Sequence, residues 1–255
     1  MAPSAPTAVR PQLTVEIWSD VICPWCYIGK RRFEGAIEQV RDEIDVNVVY
    51  RPYQLDPTAS STNPMPAVEA YARKFGGYEQ AERIIDKITG VAAGDGIEFH
   101  MERAVRANTL DAHRLLWLAT ATGHQVALKQ RLLEAYFTDG LNVGDHGVLA
   151  DCAADVGMVR EGVLAFLDSD DGVLEVRHEL ELAKELGITA VPTFVFNGSW
   201  GVPGAQDADT FAIVLRRLAA KQVAAAADAA AEAAAIAPAT PAGSVGECAD
   251  GSCDV

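Results

Sequence analysis

The sequence has no uninterrupted apolar run of the ~18 or more residues that a membrane-crossing helix needs. It is also short of positive charge: 21 Lys and Arg stand against 36 Asp and Glu, a formal net charge of -15. No compact basic cluster offsets that balance, so nucleic acid and anionic membrane surfaces are excluded as expected partners. The opening MAPSAPTAVRPQ lacks the apolar core of a secretory signal, and the expected location is the cytoplasm. Cysteine is sparse, with five residues in 255. Cytoplasmic thiols are kept reduced, so these are not expected as structural staples, and a close pair points to catalysis or metal binding. No internal repeat is present. What remains is a chain that is 49% apolar, enough for a large globular core.

Two of the cysteines, Cys23 and Cys26, stand close together in SDVICPWCYIGKRRFE. Before them LTVEIWS alternates Leu13, Val15 and Ile17 with Thr14 and Glu16, the period of a strand. After Cys23 the spacing becomes helical, with Tyr27, Phe33, Ile37 and Val40 near one face and Pro24 suited to a first turn. DVNVVYRPYQL supplies a second strand, which the right-handed crossover rule makes parallel to the first. From about Pro64 to Leu186 helical periods recur between glycines. Strand character returns at AVPTFVF, followed by Asn197-Gly198, a two-residue hairpin signal, and a last helix opening near Asp207. Beyond Arg217 an alanine-rich stretch prolongs that helix, and the final PATPAGSVGECADGSCDV reads as a flexible tail.

A thiolate is the reactive form of cysteine, and a helix N-terminus favours it through unpaired amides and the macrodipole. Cys23 is placed at that end and is expected to be the exposed attacking sulfur. Cys26, about one turn on, is placed to close a small ring and resolve a mixed disulfide. Pro24 and Trp25, between them, are expected to tune the couple. The competing reading is a pair of buried thiols or half a zinc site. No second C-x-x-C occurs, and His100, His113, His124, His146 and His178 are scattered singly, so no metal site is predicted. Pro192, opening a strand in TAVPTFVF, is either an ordinary strand-start proline or a cis feature lying beside Cys23. In the second case the backbone of Val191 is free to pair with an extended substrate.

C-P-W-C at a strand-helix junction, a distant V-P-T before a strand and a long helical insertion between them resemble the DsbA branch of the thioredoxin superfamily. SDVICPWCYIGKRRFE, RPYQLDP, NTLDAHRL, EAYF, GITAVPTFVF and GAQ are similar to its FrnE-type group, over about residues 13–215. The resemblance implies an α/β thioredoxin fold with a large all-helical insertion between the second and third core strands. The expected division is 12–62 and 188–222 for the two parts of the thioredoxin-like domain, 63–187 for the insertion, and 223–255 for the helix extension and tail. It further implies a nucleophilic Cys23, a resolving Cys26 and a cis Pro192 facing them. The expected activity is dithiol-disulfide exchange that reduces or isomerises disulfides. The expected cofactor is none beyond the redox-active disulfide, with a low-molecular-weight thiol as a co-substrate. The alternative is a glutathione-dependent isomerase or transferase of the 2-hydroxychromene-2-carboxylate isomerase and kappa-class type, which resembles this chain in architecture but usually has serine where Cys23 stands. Expected partners are disulfide-containing proteins or small thiols, with the chain a monomer or homodimer.

Cys248 and Cys253, separated by ADGS, are candidates for a redox relay, with a disordered tail or adventitious metal binding as the alternatives. Solitary Cys152 lies in an apolar helical pattern and reads as a small buried hydrophobe. His113 reads as structural or surface rather than acid-base. Trp18, Tyr53 and Phe194 read as core ahead of a substrate wall, and Lys30, Arg31 and Arg32 as a solvated helix face.

Overall fold

A computed structural model of the chain describes residues 10–60 and 62–236. Strand β1 (Gln12–Ser19) runs into helix α1 (Pro24–Val40), which returns through β2 (Asp45–Pro52). β1 and β2 are parallel, Leu13 against Val46 and Ile17 against Tyr50. The insertion carries β3 (Met65–Pro66), α2 (Ala67–Phe75), α3 (Tyr78–Gly94), β4 (Val105–Arg106), α4 (Leu110–Ala121), α5 (Gln125–Phe137), α6 (His146–Asp155), α7 (Arg160–Leu167) and α8 (Val173–Glu185). β5 (Thr193–Phe196), β6 (Trp200–Pro203) and α9 (Ala208–Ile236) complete the chain. The main sheet has the order β2-β1-β5-β6, with β5 antiparallel to both neighbours. This is a thioredoxin fold with a helical insertion. None of its described helices is long and apolar enough to cross a membrane.

The insertion is not all helix. Met65 and Pro66 pair antiparallel with Arg106 and Val105, and the Ala67 amide donates to the Ala104 carbonyl oxygen at 2.8 Å. A ladder of two residues is too short to show a period of two, and Pro66 argues against a strand in the sequence. Helix α7, REGVLAFL, adds a further short helix that glycine-bounded periodicity does not mark out.

The alternation in β1 places Leu13, Val15 and Ile17 in a core beneath α1 and α9. Phe33 of α1 is its centre, with ring centroids 5.1 Å from Phe194, 6.1 Å from Phe196 and 5.1 Å from Phe211. A second core fills the insertion and includes Tyr27 and Ile28 of α1, so α1 belongs to both. The Asn197-Gly198 turn has φ of 46° and 65°, the left-handed pair that a two-residue hairpin needs. Asn197 also locks onto β1: its amide donates to the Thr14 carbonyl oxygen at 2.8 Å, and its side-chain oxygen accepts the Thr14 amide at 2.9 Å.

The insertion docks on the outer edge of the sheet. Gln125 accepts the Tyr50 amide at 2.8 Å and donates to the Tyr50 carbonyl oxygen at 2.9 Å, as a neighbouring strand would. Arg51 bridges Glu16 of β1 and Glu179 of α8 at 2.6 and 2.8 Å. Lys30 is not solvated: it is 2% exposed and reaches Gln130 of α5 at 2.6 Å, while Arg32 pairs with Asp95 at 2.9 Å. Two of the three basic residues on α1 therefore tie it to the insertion.

Phe33→Ala should cost roughly 3–5 kcal/mol, as expected for deleting a fully buried ring. Equilibrium urea unfolding checks this, and a loss under 1 kcal/mol would show that Phe33 is not the centre of that core.

Candidate active site

The turn between β1 and α1 builds the site. Cys23 is the N-cap of α1 in extended conformation (φ -91°, ψ 115°), and Pro24 occupies the first turn, where its missing N–H costs nothing. The amides of Cys26 and Tyr27 donate to the Cys23 carbonyl oxygen at 3.0 and 3.3 Å. Trp25 is the exposed member of the motif, at 38%. The Val191-Pro192 peptide is cis. The Val191 carbonyl oxygen lies 3.6 Å from the Cys23 sulfur, which is the donor. A Cβ on Gly29 would lie 3.0 Å from Pro192 Cγ and 3.3 Å from Ala205 Cβ, so glycine lets α1 approach the Pro192 loop this closely. The structure thus brings Cys23, Cys26, Val191 and Pro192 together.

The expectation of an exposed, acidic Cys23 is corrected. Cys23 and Cys26 are each only 3% exposed, and both are free thiols. The hydrogen bond that Cys23 gives to Cys26, and then burial, hold the Cys23 thiol well above the usual range. Burial also opposes ionisation of Cys26. The bond from Cys23 and the charge of Lys129 outweigh it, and the Cys26 pKa falls below that of an ordinary thiol. The physical reason is that Cys23 faces two acceptors, which favour its protonated form, whereas Cys26 faces a donor and a cation. Ionisation of the pair is therefore favoured at Cys26 over Cys23 in this closed geometry.

Beneath the pair lies a buried polar group absent from the sequence-based list. Asp20 is 0% exposed. It accepts the amides of Val21 and Leu55, both at 2.8 Å, and its Oδ1 lies 3.3 Å from His113 Nε2. Burial raises its pKa, but the hydrogen bond and charge of His113, the Leu55 amide and Lys129 outweigh this, and the carboxyl stays below its ordinary range. His113 also contacts the Tyr53 carbonyl oxygen at 3.1 Å, which agrees with its structural reading. Lys129 of α5 is 1% exposed, and its Nζ has no hydrogen-bond partner among the described residues. A cavity of about 360 Å³ adjoins this group, walled in part by Ser19, Tyr50, His113, Gln125 and Lys129. The signal for Lys129 was present in the sequence: Gln125, Leu128, Lys129, Leu132, Leu133 and Tyr136 form one helical stripe, and a lysine in such a stripe is anomalous.

Other candidates lie elsewhere. Trp18 and Phe194 are buried at 1% and 0%, and Tyr53 hydrogen-bonds the Thr189 carbonyl oxygen at 3.3 Å. Cys152 is buried in α6, where burial pushes its thiol up to about 11. Cys248 and Cys253 lie outside the described residues. Among the described residues no group of three or more His, Cys, Asp or Glu could hold a metal ion.

The model of the DSBA-like thioredoxin domain family matches residues 14–216. The chain belongs to that family. A crystal structure of a probable DsbA oxidoreductase from Streptomyces coelicolor is 36% identical, with a TM-score of 0.74 over 80% of this chain and 89% of that one. The uncharacterized protein YwbO of Bacillus subtilis is 27% identical over 199 residues, covering 77% of this chain and 92% of its own. The cytosolic disulfide reductase DsbM of Pseudomonas aeruginosa shares the DsbA-like fold, with a TM-score of 0.53 at 20% identity over 80% of this chain and 98% of that one.

Two outcomes follow from this DsbA-like site. In Asp20→Asn the new amide must point its NH₂ at the N–H of either Val21 or Leu55, so stability should fall by roughly 3 kcal/mol. Because folding lowers the Asp20 pKa, its contribution is present above the unfolded value of about 4 and is lost as pH falls through the folded value. Thermal midpoints measured against pH should show a weaker acid dependence in Asp20→Asn; parallel curves would contradict this. The difference between ultraviolet titrations of the reduced protein and of its Cys23→Ser/Cys26→Ser variant should show one thiol ionising below, and one above, the ordinary value of about 8.5. Two unperturbed ionisations would contradict the coupled pair.

Proposed function

We propose that the protein is a thiol-disulfide oxidoreductase that works by dithiol-disulfide exchange at Cys23-Pro24-Trp25-Cys26. The single observation that carries this reading is that Cys23, at the N-cap of α1 and one turn before Cys26, faces the Val191-Pro192 loop with its sulfur 3.6 Å from the Val191 carbonyl oxygen. Transfer of the Cys23 proton to Cys26 turns Cys23 into the thiolate. Its electron pair attacks one sulfur of a substrate disulfide, the other sulfur leaves as a thiolate, and a mixed disulfide forms on Cys23. Cys26 then attacks Cys23, releasing the reduced substrate and leaving the Cys23-Cys26 disulfide. A thiol from outside restores the dithiol.

In this reading Trp25 and the backbone at Val191-Pro192 border the groove in which the substrate lies, and Pro24 fixes the start of α1. No bound cofactor takes part, and a low-molecular-weight thiol serves as the reductant. Placed in the cytoplasm, as expected from the sequence, the enzyme reduces or isomerises disulfides in proteins or those formed by small thiols. The likeness to the probable DsbA oxidoreductase of Streptomyces coelicolor supports the reaction class.

Turnover in an insulin-reduction assay should be abolished in Cys23→Ser. Cys26→Ala should accumulate the mixed disulfide, visible as an added mass on Cys23. Undiminished turnover in Cys23→Ser would sink the proposal, and glutathione-dependent isomerisation that survives Cys26→Ala would favour the isomerase reading instead.

A further inference from the structure

Lys129 presents a physical problem that the exchange reaction explains. A buried ammonium group is normally paired and hydrogen-bonded, because leaving it unpaired is costly. Lys129 projects from the apolar stripe of α5 and is 1% exposed, yet no acceptor lies within reach of its Nζ among the described residues. The Tyr50 ring of β2 lies beneath it, with its centroid 5.6 Å away. The charges that act on it are those of Cys26 and Cys23, of Asp20 in the β1–α1 turn with His113 of α4 behind it, and of Lys30 in α1. Asp20 is already committed, since its oxygens accept from Val21, Leu55 and His113. Glu34 of α1 is taken by Lys30 at 2.5 Å, and Glu179 of α8, on the wall of the same cavity, by Arg51 at 2.8 Å. The dithiol is the remaining neighbour able to become an anion.

We propose that Lys129 is the positioning residue for the second half of the exchange, kept without a fixed partner so that Cys26 becomes its partner on ionising. The inference rests on the dithiol reading above. In the mixed disulfide, the Cys26 thiol gives its proton to solvent, and the charge of the Lys129 ammonium stabilises the thiolate that is left. The thiolate electron pair then forms the bond to Cys23, and the bond from Cys23 to the substrate sulfur breaks. The substrate leaves as a thiolate. Burial lowers the Lys129 pKa to about 8, and below that pH the group keeps the charge that the thiolate meets. The adjoining cavity gives the proton an outlet.

Reaction of the reduced Cys152→Ala/Cys248→Ser/Cys253→Ser protein, taken as the wild-type background, with dithiobis(nitrobenzoate) separates the two halves, because Cys23 attack releases one nitrothiobenzoate and Cys26 attack releases the second. In the wild type the pH midpoint of the second release should lie below that of a free thiol. In Lys129→Met it should move up by about one unit, slowing that release about tenfold at neutral pH, while the first release changes less than about threefold. The thermal midpoint of Lys129→Met should equal or exceed that of the wild type, because a buried ammonium without a partner has been replaced by an apolar chain of similar length. Coincident pH profiles, equal slowing of both releases, or a lower thermal midpoint would each overturn the role of Lys129, as would a wild-type midpoint at the free-thiol value. If instead Cys26→Ala releases the second nitrothiobenzoate as fast as the wild type, the dithiol reading itself fails.

Discussion

The Asp20 carboxylate is the interaction on which the site depends. It is buried, it is held as an anion, and it joins three segments distant in sequence: the turn leading to Cys23, the Leu55 backbone beyond β2, and His113 of α4. Each of these contacts fixes a boundary of the dithiol. The Val21 amide shapes the turn, Leu55 holds the chain that leaves β2, and His113 brings the insertion against the end of β1. A carboxylate accepting several donors is worth more here than at the surface, because the low-dielectric surroundings strengthen each bond and leave no water to replace it. The position of the sulfurs is thus set by electrostatics as much as by packing.

The insertion completes the sheet as well as decorating it. β2 is an edge strand, and an edge exposes unpaired amides and carbonyls that invite another strand. Gln125 caps both groups of Tyr50, and Arg51 draws Glu179 across the same edge. One turn farther along α5, Lys129 reaches the Tyr50 ring and the field of the dithiol. A single helix therefore protects the edge and supplies the cation, so the site acquires its charge from the element that stabilises the sheet.

Much of this was legible in the sequence where a rule with a short range applied. Alternation marked β1, Pro24 marked the start of α1, Asn197-Gly198 marked the hairpin, and the C-P-W-C spacing marked the pair of sulfurs. The two-residue ladder of Met65–Pro66 with Val105–Arg106 was not legible, because its partners are set by tertiary contact and not by period. Burial of Cys23 was also hidden. A helix N-terminus argues for an exposed thiolate, but the backbone of Val191 comes from a segment 168 residues away and covers it. Lys30 and Arg32 misled for the same reason, since Gln130 and Asp95 belong to the insertion.

These corrections change the chemistry of the site in one direction. A sulfur at a helix start would be activated by the dipole alone, and its partner would serve only to close the ring. Here the Cys26 amide still favours a Cys23 thiolate, but the bond that Cys23 gives to Cys26 and burial outweigh it, and ionisation is favoured at Cys26. Activation of Cys23 therefore requires its proton to cross between the sulfurs, and anything that draws Cys23 away from Val191 removes one acceptor that holds that proton in place. A substrate backbone pairing along the Val191-Pro192 loop would do this. In the proposed exchange, binding and activation are then coupled through one hydrogen bond, which keeps the dithiol without substrate less reactive than its position at the N-cap implies.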